Sequence, residues 1–198
     1  MTDYIKLYDG ISRVAWGYFF VYFDINLGAV SILPRFIGYL LFLSAINCLK
    51  DEERDLSLLR SLGIILALWH TAIWLGHWFS FELDGMWQFA DIIISLVNLY
   101  FHFQLLTNLA SVAAKYQPEG YGIDSKLLRY RTIQTVILTV TTISLRLDPW
   151  LLSVRTYVSA AILIVYVIIC ICLMKALFDF RKCLALIVEN YETNENAE

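Results

Sequence analysis

The chain has 198 residues, a formal net charge of −3, 59% hydrophobic residues and a mean hydropathy of +0.63. This composition is too apolar for the surface of a water-soluble domain, so it indicates a membrane protein. The charge is close to balanced and forms no basic stripe, because acidic residues between 51 and 55 offset their basic neighbours. Nucleic acid is therefore not expected as a partner.

Six apolar segments follow one another along the chain, at 11–30, 33–49, 61–80, 88–110, 128–147 and 151–174. A helix needs about 20 residues to cross about 30 Å of hydrocarbon, so each segment predicts one transmembrane helix. The short connections at 30–33, 80–87 and 147–150 make neighbouring helices antiparallel. The sequence predicts an all-α, polytopic transmembrane bundle of six helices arranged as three hairpins.

The basic residues alternate around these segments and predict the orientation of the bundle. Most of them flank the same ends of the segments: Lys6, Arg13, Lys50, Arg54, Arg60, Lys115, Lys126, Arg129, Arg131, Lys175, Arg181 and Lys182. Positive charge is retained on the cytoplasmic side during insertion, so both termini are expected in the cytoplasm. Residues 1–10 are then a cytoplasmic N-terminal segment and residues 11–175 the six-helix domain. Residues 176–198 are predicted to be a cytoplasmic amphipathic segment followed by a disordered acidic tail.

Polar residues inside the apolar segments predict which helix faces point inward, because they are costly in hydrocarbon unless they meet protein or water. In the fourth segment Asp91, Ser95, Asn98 and His102 are spaced 4, 3 and 4 apart and form one stripe. Threonines 132, 135, 139 and 142 form a second stripe, on the fifth segment, which we expect to pack against other helices.

The antiparallel arrangement places several of these polar groups at one depth, near the outer boundary. We predict that they surround an outward-facing pocket that binds a small ligand or a partner helix, formed by Asp24, Asn26, Arg35, His77, Asp91, Asn98, Arg146 and Arg155. The alternative for each group is structural: buried hydrogen bonds, ion pairs and close helix packing. Which of the two holds is left open by the residues alone.

The sequence lacks the common catalytic and cofactor-binding motifs. The chain has no His-Glu-x-x-His, Gly-x-Ser-x-Gly or phosphate-binding loop, so no catalytic residues are assigned. His70 and His102 fall at similar depth, as bis-imidazole haem ligation would require, but the aromatic residues around them predict a filled space. We therefore expect neither a cofactor nor a metal. A membrane enzyme using His77 and Asp91 as an acid–base pair remains the alternative function.

Two stretches near the start of the chain resemble the sequences of a known protein family. The sequence Asp-Ile-Asn-Leu-Gly at 24–28, followed by Ile-Leu-Pro-Arg-Phe-Ile-Gly-Tyr at 32–39, resembles the opening hairpin of a family of small bacterial multi-span membrane proteins without an assigned activity. The resemblance covers about residues 5–60 and implies the bacterial cytoplasmic membrane.

In size and topology the chain is also similar to substrate-binding subunits of energy-coupling vitamin transporters, although its first segment lacks their Ala-x-x-x-Ala docking face. Together these observations favour a non-enzymatic protein, either a transporter subunit or an accessory or regulatory protein. Its expected partners are the lipid bilayer and a small molecule or another membrane protein.

Overall fold

The computed structural model describes residues 4–23, 26–27, 30–31, 34–53, 55–78, 87–144 and 152–195. The six predicted helices are confirmed: α1 Tyr4–Tyr22, α2 Arg35–Leu49, α3 Leu56–Trp78, α4 Trp87–Tyr116, α5 Ile123–Ser144 and α6 Leu152–Glu195. Two short strands, β1 Asn26–Leu27 and β2 Val30–Ser31, pair antiparallel between α1 and α2. The fold is therefore helical apart from this small hairpin.

Three of the described helices contain stretches long and apolar enough to cross a membrane: Leu56–Gly76 in α3, Phe89–Tyr116 in α4 and Ala160–Glu189 in α6. The chain is thus a membrane protein with transmembrane helices. The other three helices are shorter or more charged. α2 has only 15 residues, and the first half of α5 contains Lys126, Arg129 and Arg131.

The helices follow chain order around the bundle: each packs on the next, and α6 returns to α1. Side chains also meet across the centre, since Tyr4 of α1 contacts the ring of Tyr116 of α4. That contact lies at the end of the bundle that holds the connections 50–55 and 117–122, which we call the basic end. The opposite end carries β1 and β2 and is called the hairpin end.

The α1–α2 pair is the most closely packed part of the bundle. A Cβ added to Gly38 would lie 2.7 Å from the backbone oxygen of Gly17, and one added to Gly17 would lie 2.6 Å from the ring of Phe42. Only glycine allows two helix backbones to approach so closely, as at the small-residue interfaces of membrane helices. Around this crossing Val14 and Tyr18 are fully buried.

The first helix lies nearer the start of the chain than the sequence indicated. It was expected at 11–30, but α1 spans Tyr4–Tyr22, so residues 4–10, which were predicted to form a separate N-terminal segment, belong to the helix. Residues 26–27 and 30–31 form the strand pair instead. The sequence supplies the reason, because Asp24, Asn26 and Gly28 all have low helix propensity. Hydropathy does not include helix propensity, so it did not predict where this helix ends.

The last helix is longer than predicted. α6 continues through 176–189 and ends at Glu195, so there is no break at residue 175, and residues 190–195, which were expected to be disordered, belong to the helix. The continuation is stabilised by packing on α1. Leu177, Phe180 and Leu184 are fully buried, and the Arg181 guanidinium donates to the hydroxyl of Tyr8 at 2.8 Å.

The threonine stripe of α5 is only partly buried. Thr132 is exposed, and its hydroxyl donates to the carbonyl of Leu128 one turn earlier. Thr135 and Thr139 are half-buried, and the side chain of Thr142 is not among those described. The residues of α5 that are buried include Leu127 and Gln134. A threonine can satisfy its hydroxyl within its own helix, so a threonine stripe does not need a protein neighbour.

Candidate functional site

The polar stripe of α4 changes from exposed to buried along its length. Asp91 and Ser95 are exposed, Asn98 is half-buried and His102 is only 4% exposed. Asn98 lies level with Tyr39, which is four residues, or about 6 Å, from the start of α2. Asp91 lies seven residues, or about 10 Å, nearer to the start of α4 than Asn98, which is toward the hairpin end. The stripe therefore extends beyond the hairpin-end terminus of α2.

A chain of hydrogen-bonding groups begins at Asn98 and enters the core. The hydroxyl of Tyr39 donates to Oδ1 of Asn98 at 2.7 Å and lies 3.5 Å from Nε2 of His102. A phenol has a single proton, so Nε2 of His102 is the donor to Tyr39. Nδ1 then accepts from the hydroxyl of Tyr18, at 3.3 Å. These contacts suit a neutral histidine with its proton on Nε2.

His70 completes this cluster from α3. Its ring stacks on Tyr39 with centroids 4.9 Å apart and planes 7° from parallel. Tyr39 also contacts the ring of His102, with centroids 6.1 Å apart. Tyr39 thus links the two histidines, and Phe42 and Phe101 pack on the same side chains. The space that a haem would need between the two imidazoles is occupied by aromatic rings.

A second polar region joins α1 to α5 and α6. Gln134 donates to the hydroxyl of Tyr22 at 2.7 Å, and the ring of Tyr22 contacts that of Tyr166. Tyr18 and Tyr22 lie side by side, with ring centroids 5.2 Å apart, so this region adjoins the histidine cluster. Oε1 of Gln134 is buried and has no hydrogen-bond partner in the described part of the chain.

The basic end is held by contacts between connections. Lys115 donates to the backbone oxygen of Glu52 at 2.7 Å and pairs with the carboxylate of Glu53 at 3.2 Å. At the start of α5, Gln117 accepts from the backbone N–H of Ile123 and donates to the carboxylate of Asp124. The hydrogen bond from Gln117 lowers the pKa of Asp124 below its ordinary value. These contacts fix how the helices meet at this end.

The predicted site residues are described to different extents. Asn98 binds Tyr39, whereas Asp91 and Arg35 are exposed. Asp24 and Arg146 lie outside the described residues. For Asn26 in β1, His77 in α3 and Arg155 in α6 the structure describes the backbone element but not the side chain. The gathering of all eight residues around one pocket therefore stays a prediction.

Sequence reasoning missed Tyr18 and Tyr39, which supply most of the hydrogen bonds of the cluster. Tyrosine is common in membrane helices, so its residue type alone does not mark a site. A usable signal was their position, since each lies one turn from the hairpin-end terminus of its helix and next to a buried glycine. Among the described residues no group of three His, Cys, Asp or Glu side chains is placed to hold a metal.

Comparisons with known proteins add no assignment to this geometry. No family model, curated protein or solved structure matches the chain.

Proposed function

We propose that the chain is a multi-pass protein of the bacterial cytoplasmic membrane that crosses the bilayer six times, with both termini in the cytoplasm. The packing supports six crossings, because α1, α2 and α5 share one core with the three long apolar helices. The clustering of basic residues at one end supports the orientation. The hairpin end then faces outward.

In this proposal the protein is not an enzyme but binds a small polar ligand in an outward-facing cleft beside α4. The observation that carries it is the environment of Asp91. Its side chain is exposed, and its carboxylate makes no hydrogen bond or ion pair with any residue that the structure describes. A carboxylate within a transmembrane helix faces a water-filled cavity or a partner group, because exposure to lipid is too costly.

The chemistry of the cleft favours a ligand with a positively charged or hydrogen-bond-donating group. Asp91 accepts only, and Ser95 beside it has already donated its proton to the backbone oxygen of Asp91. Deeper in, Asn98 retains its amide donor after accepting from Tyr39. A small ligand can meet both groups, whereas a partner helix would reach only the exposed ones. A transporter subunit would bind its substrate in such a cleft, and an accessory or regulatory protein would bind there the ligand that it senses.

Single cysteines test whether the cleft is open to water. In a variant whose four native cysteines are replaced, we compare Ser95→Cys with Leu96→Cys, since Leu96 is adjacent and 58% exposed. A membrane-impermeant thiol reagent should modify Ser95→Cys and leave Leu96→Cys, on the lipid-facing side, unmodified. Equal protection of both positions would contradict a water-filled cleft. Binding of small cationic solutes should slow the labelling of Ser95→Cys, and Asp91→Asn should abolish that protection.

The orientation has its own test. Cysteines placed at Asp84 and Asp148 should be labelled in intact cells, whereas those placed at Glu53, Glu119 and Glu195 should react only after the membrane is opened. Labelling at Glu119 from outside would contradict six crossings while leaving the cleft experiment valid.

A further inference from the structure

Arg131 of α5 is a cation in the interface with α4 and has no counter-ion among the described residues. Its guanidinium lies over the ring of Phe103, 4.3 Å from the centroid, and Nη1 donates to the hydroxyl of Thr107 at 2.8 Å. Neither ion pair among the described side chains includes it. Nε is buried without a partner, and no described group accepts from Nη2. Two of its three nitrogens are therefore unpaired.

The depth of Arg131 brings it close to the membrane boundary. It lies eight residues, or about 12 Å, from the start of α5 at the basic end. On the proposed topology, in which α5 crosses the bilayer and begins at its surface, a headgroup region about 5–8 Å thick puts the Cα a few ångströms inside the hydrocarbon. The side chain is only half-buried. An arginine at this level extends toward the phosphates of the nearer leaflet.

We propose that Arg131, Thr107 and Phe103 form a binding site for the headgroup phosphate of an anionic phospholipid, in the leaflet at the basic end. A guanidinium is a planar fork of donors. Here Nη1 is bonded to Thr107 and Nε is buried, so Nη2 is the donor left for a phosphate oxygen, and the ring of Phe103 and the hydroxyl of Thr107 hold the fork in place. The acyl chains lie along the apolar surface between α4 and α5, where Tyr100 is exposed and Leu138, two turns from Arg131 on the same face, is half-buried. Basic pockets between transmembrane helices recognise lipid headgroups in this way.

A soluble anion is the competing source of the same phosphate chemistry. The lipid is favoured because the guanidinium lies over the ring of Phe103 and about 12 Å from the start of α5, below the level of the aqueous connection 117–122. The site is independent of the cleft near Asp91, which lies at the other end of the bundle, so either can fail without the other.

The test titrates the purified full-length chain in detergent with phosphatidylglycerol or phosphatidylcholine and counts bound lipids by native mass spectrometry. The wild type should bind phosphatidylglycerol about tenfold more tightly, which corresponds to one charge-assisted hydrogen-bonded contact. Arg131→Gln should lose this preference. The matched control is Arg129→Gln, an exposed arginine on nearly the opposite side of α5, which should retain it. Arg131→Lys should keep part of the preference, since it keeps the charge without the fork.

Three results would overturn the proposal. One is a wild type with no preference between the two lipids, which decides the matter even if Arg131→Gln does not fold. Another is an equal loss in Arg129→Gln, which would indicate general surface electrostatics. The third is displacement of phosphatidylglycerol by inorganic phosphate at millimolar concentration, with phosphate alone stabilising the wild type against heat but not Arg131→Gln. That outcome would assign the site to a soluble anion.

Discussion

The α1–α2 and α4–α5 interfaces are held by different forces. Between α1 and α2, Gly17 and Gly38 bring the backbones together, and the surrounding side chains are fully buried. Between α4 and α5, Arg131 bonds to Thr107, and its buried Nε has no partner within the described chain. The first interface is complete by itself. The second leaves hydrogen bonds for water or a ligand to make, so function is expected there and at the cleft beside α4.

The largest effect is expected from filling the α1–α2 crossing. Gly38→Ala gains up to about 1 kcal/mol of helix propensity. It loses more, because the new Cβ meets the backbone oxygen of Gly17, which cannot move aside. The free energy of unfolding should fall by about 3 kcal/mol, measured by denaturation in mixed micelles. Gly63→Ala is the control: its Cβ meets the flexible end of Leu43, and the change should stay within about 1 kcal/mol.

The second effect comes from the histidine cluster. Tyr39→Phe removes the donor to Asn98 and the acceptor of His102 while keeping the ring on His70, and should cost about 2 kcal/mol. Tyr18→Phe removes only the contact at 3.3 Å to Nδ1 of His102 and should cost about 1 kcal/mol. The same denaturation measures both. If the two variants were as stable as the wild type, the hydrogen-bond chain would contribute nothing to the fold.

A smaller effect should follow from removing an unsatisfied group. Gln134→Leu loses the hydrogen bond to Tyr22 but also removes a buried oxygen that has no partner. These terms oppose each other, so the free energy of unfolding should change by less than about 1 kcal/mol. A loss as large as that of Gly38→Ala would mean that the oxygen of Gln134 is satisfied by an ordered water, so that the contact between α1 and α5 is as complete as that between α1 and α2.

The smallest effect concerns the turn that joins α4 to α5. Because the pKa of Asp124 is lower in the folded state, its charged form stabilises the fold above its ordinary value of 3.8, and this contribution is lost as the pH falls through the lowered folded-state pKa. Asp124→Asn should reduce the acid sensitivity of unfolding below about pH 4, as measured by the midpoint temperature across a pH series. A variant with an unchanged acid profile would show that the Gln117 contact is not maintained in solution.

The sequence predicts the helices of this protein better than it predicts their contacts. Long apolar runs can only be helical in a bilayer, which is why all six helices were found. The spacing of Asn98 and His102 also placed both on the inward side of α4. The stripe of threonines was a weaker guide. Thr132 is exposed and bonds within its own helix, Thr135 and Thr139 are half-buried, and Gln134 on another face of α5 is buried.

The partners inside the cluster could not be predicted in the same way. Tyr18, Tyr39 and His102 come from three helices, and their hydrogen bonds depend on the crossing at Gly17 and Gly38. Periodicity reports which face of a helix is buried, but it carries no information on the rotation and height of one helix relative to another.

The unequal heights of the helices have a consequence for the surrounding lipid. The 15 residues of α2 give a helix about 22 Å long, whereas the 30 residues of α4 give one about 45 Å long. Both helices belong to the same bundle. On the proposed six-crossing topology, a bilayer of constant thickness cannot match both, so lipids beside α2 would be compressed while those beside α4 would not. Such a mismatch costs a fraction of a kcal/mol per ångström, which favours residence in thin membranes and draws together proteins with equally short flanks.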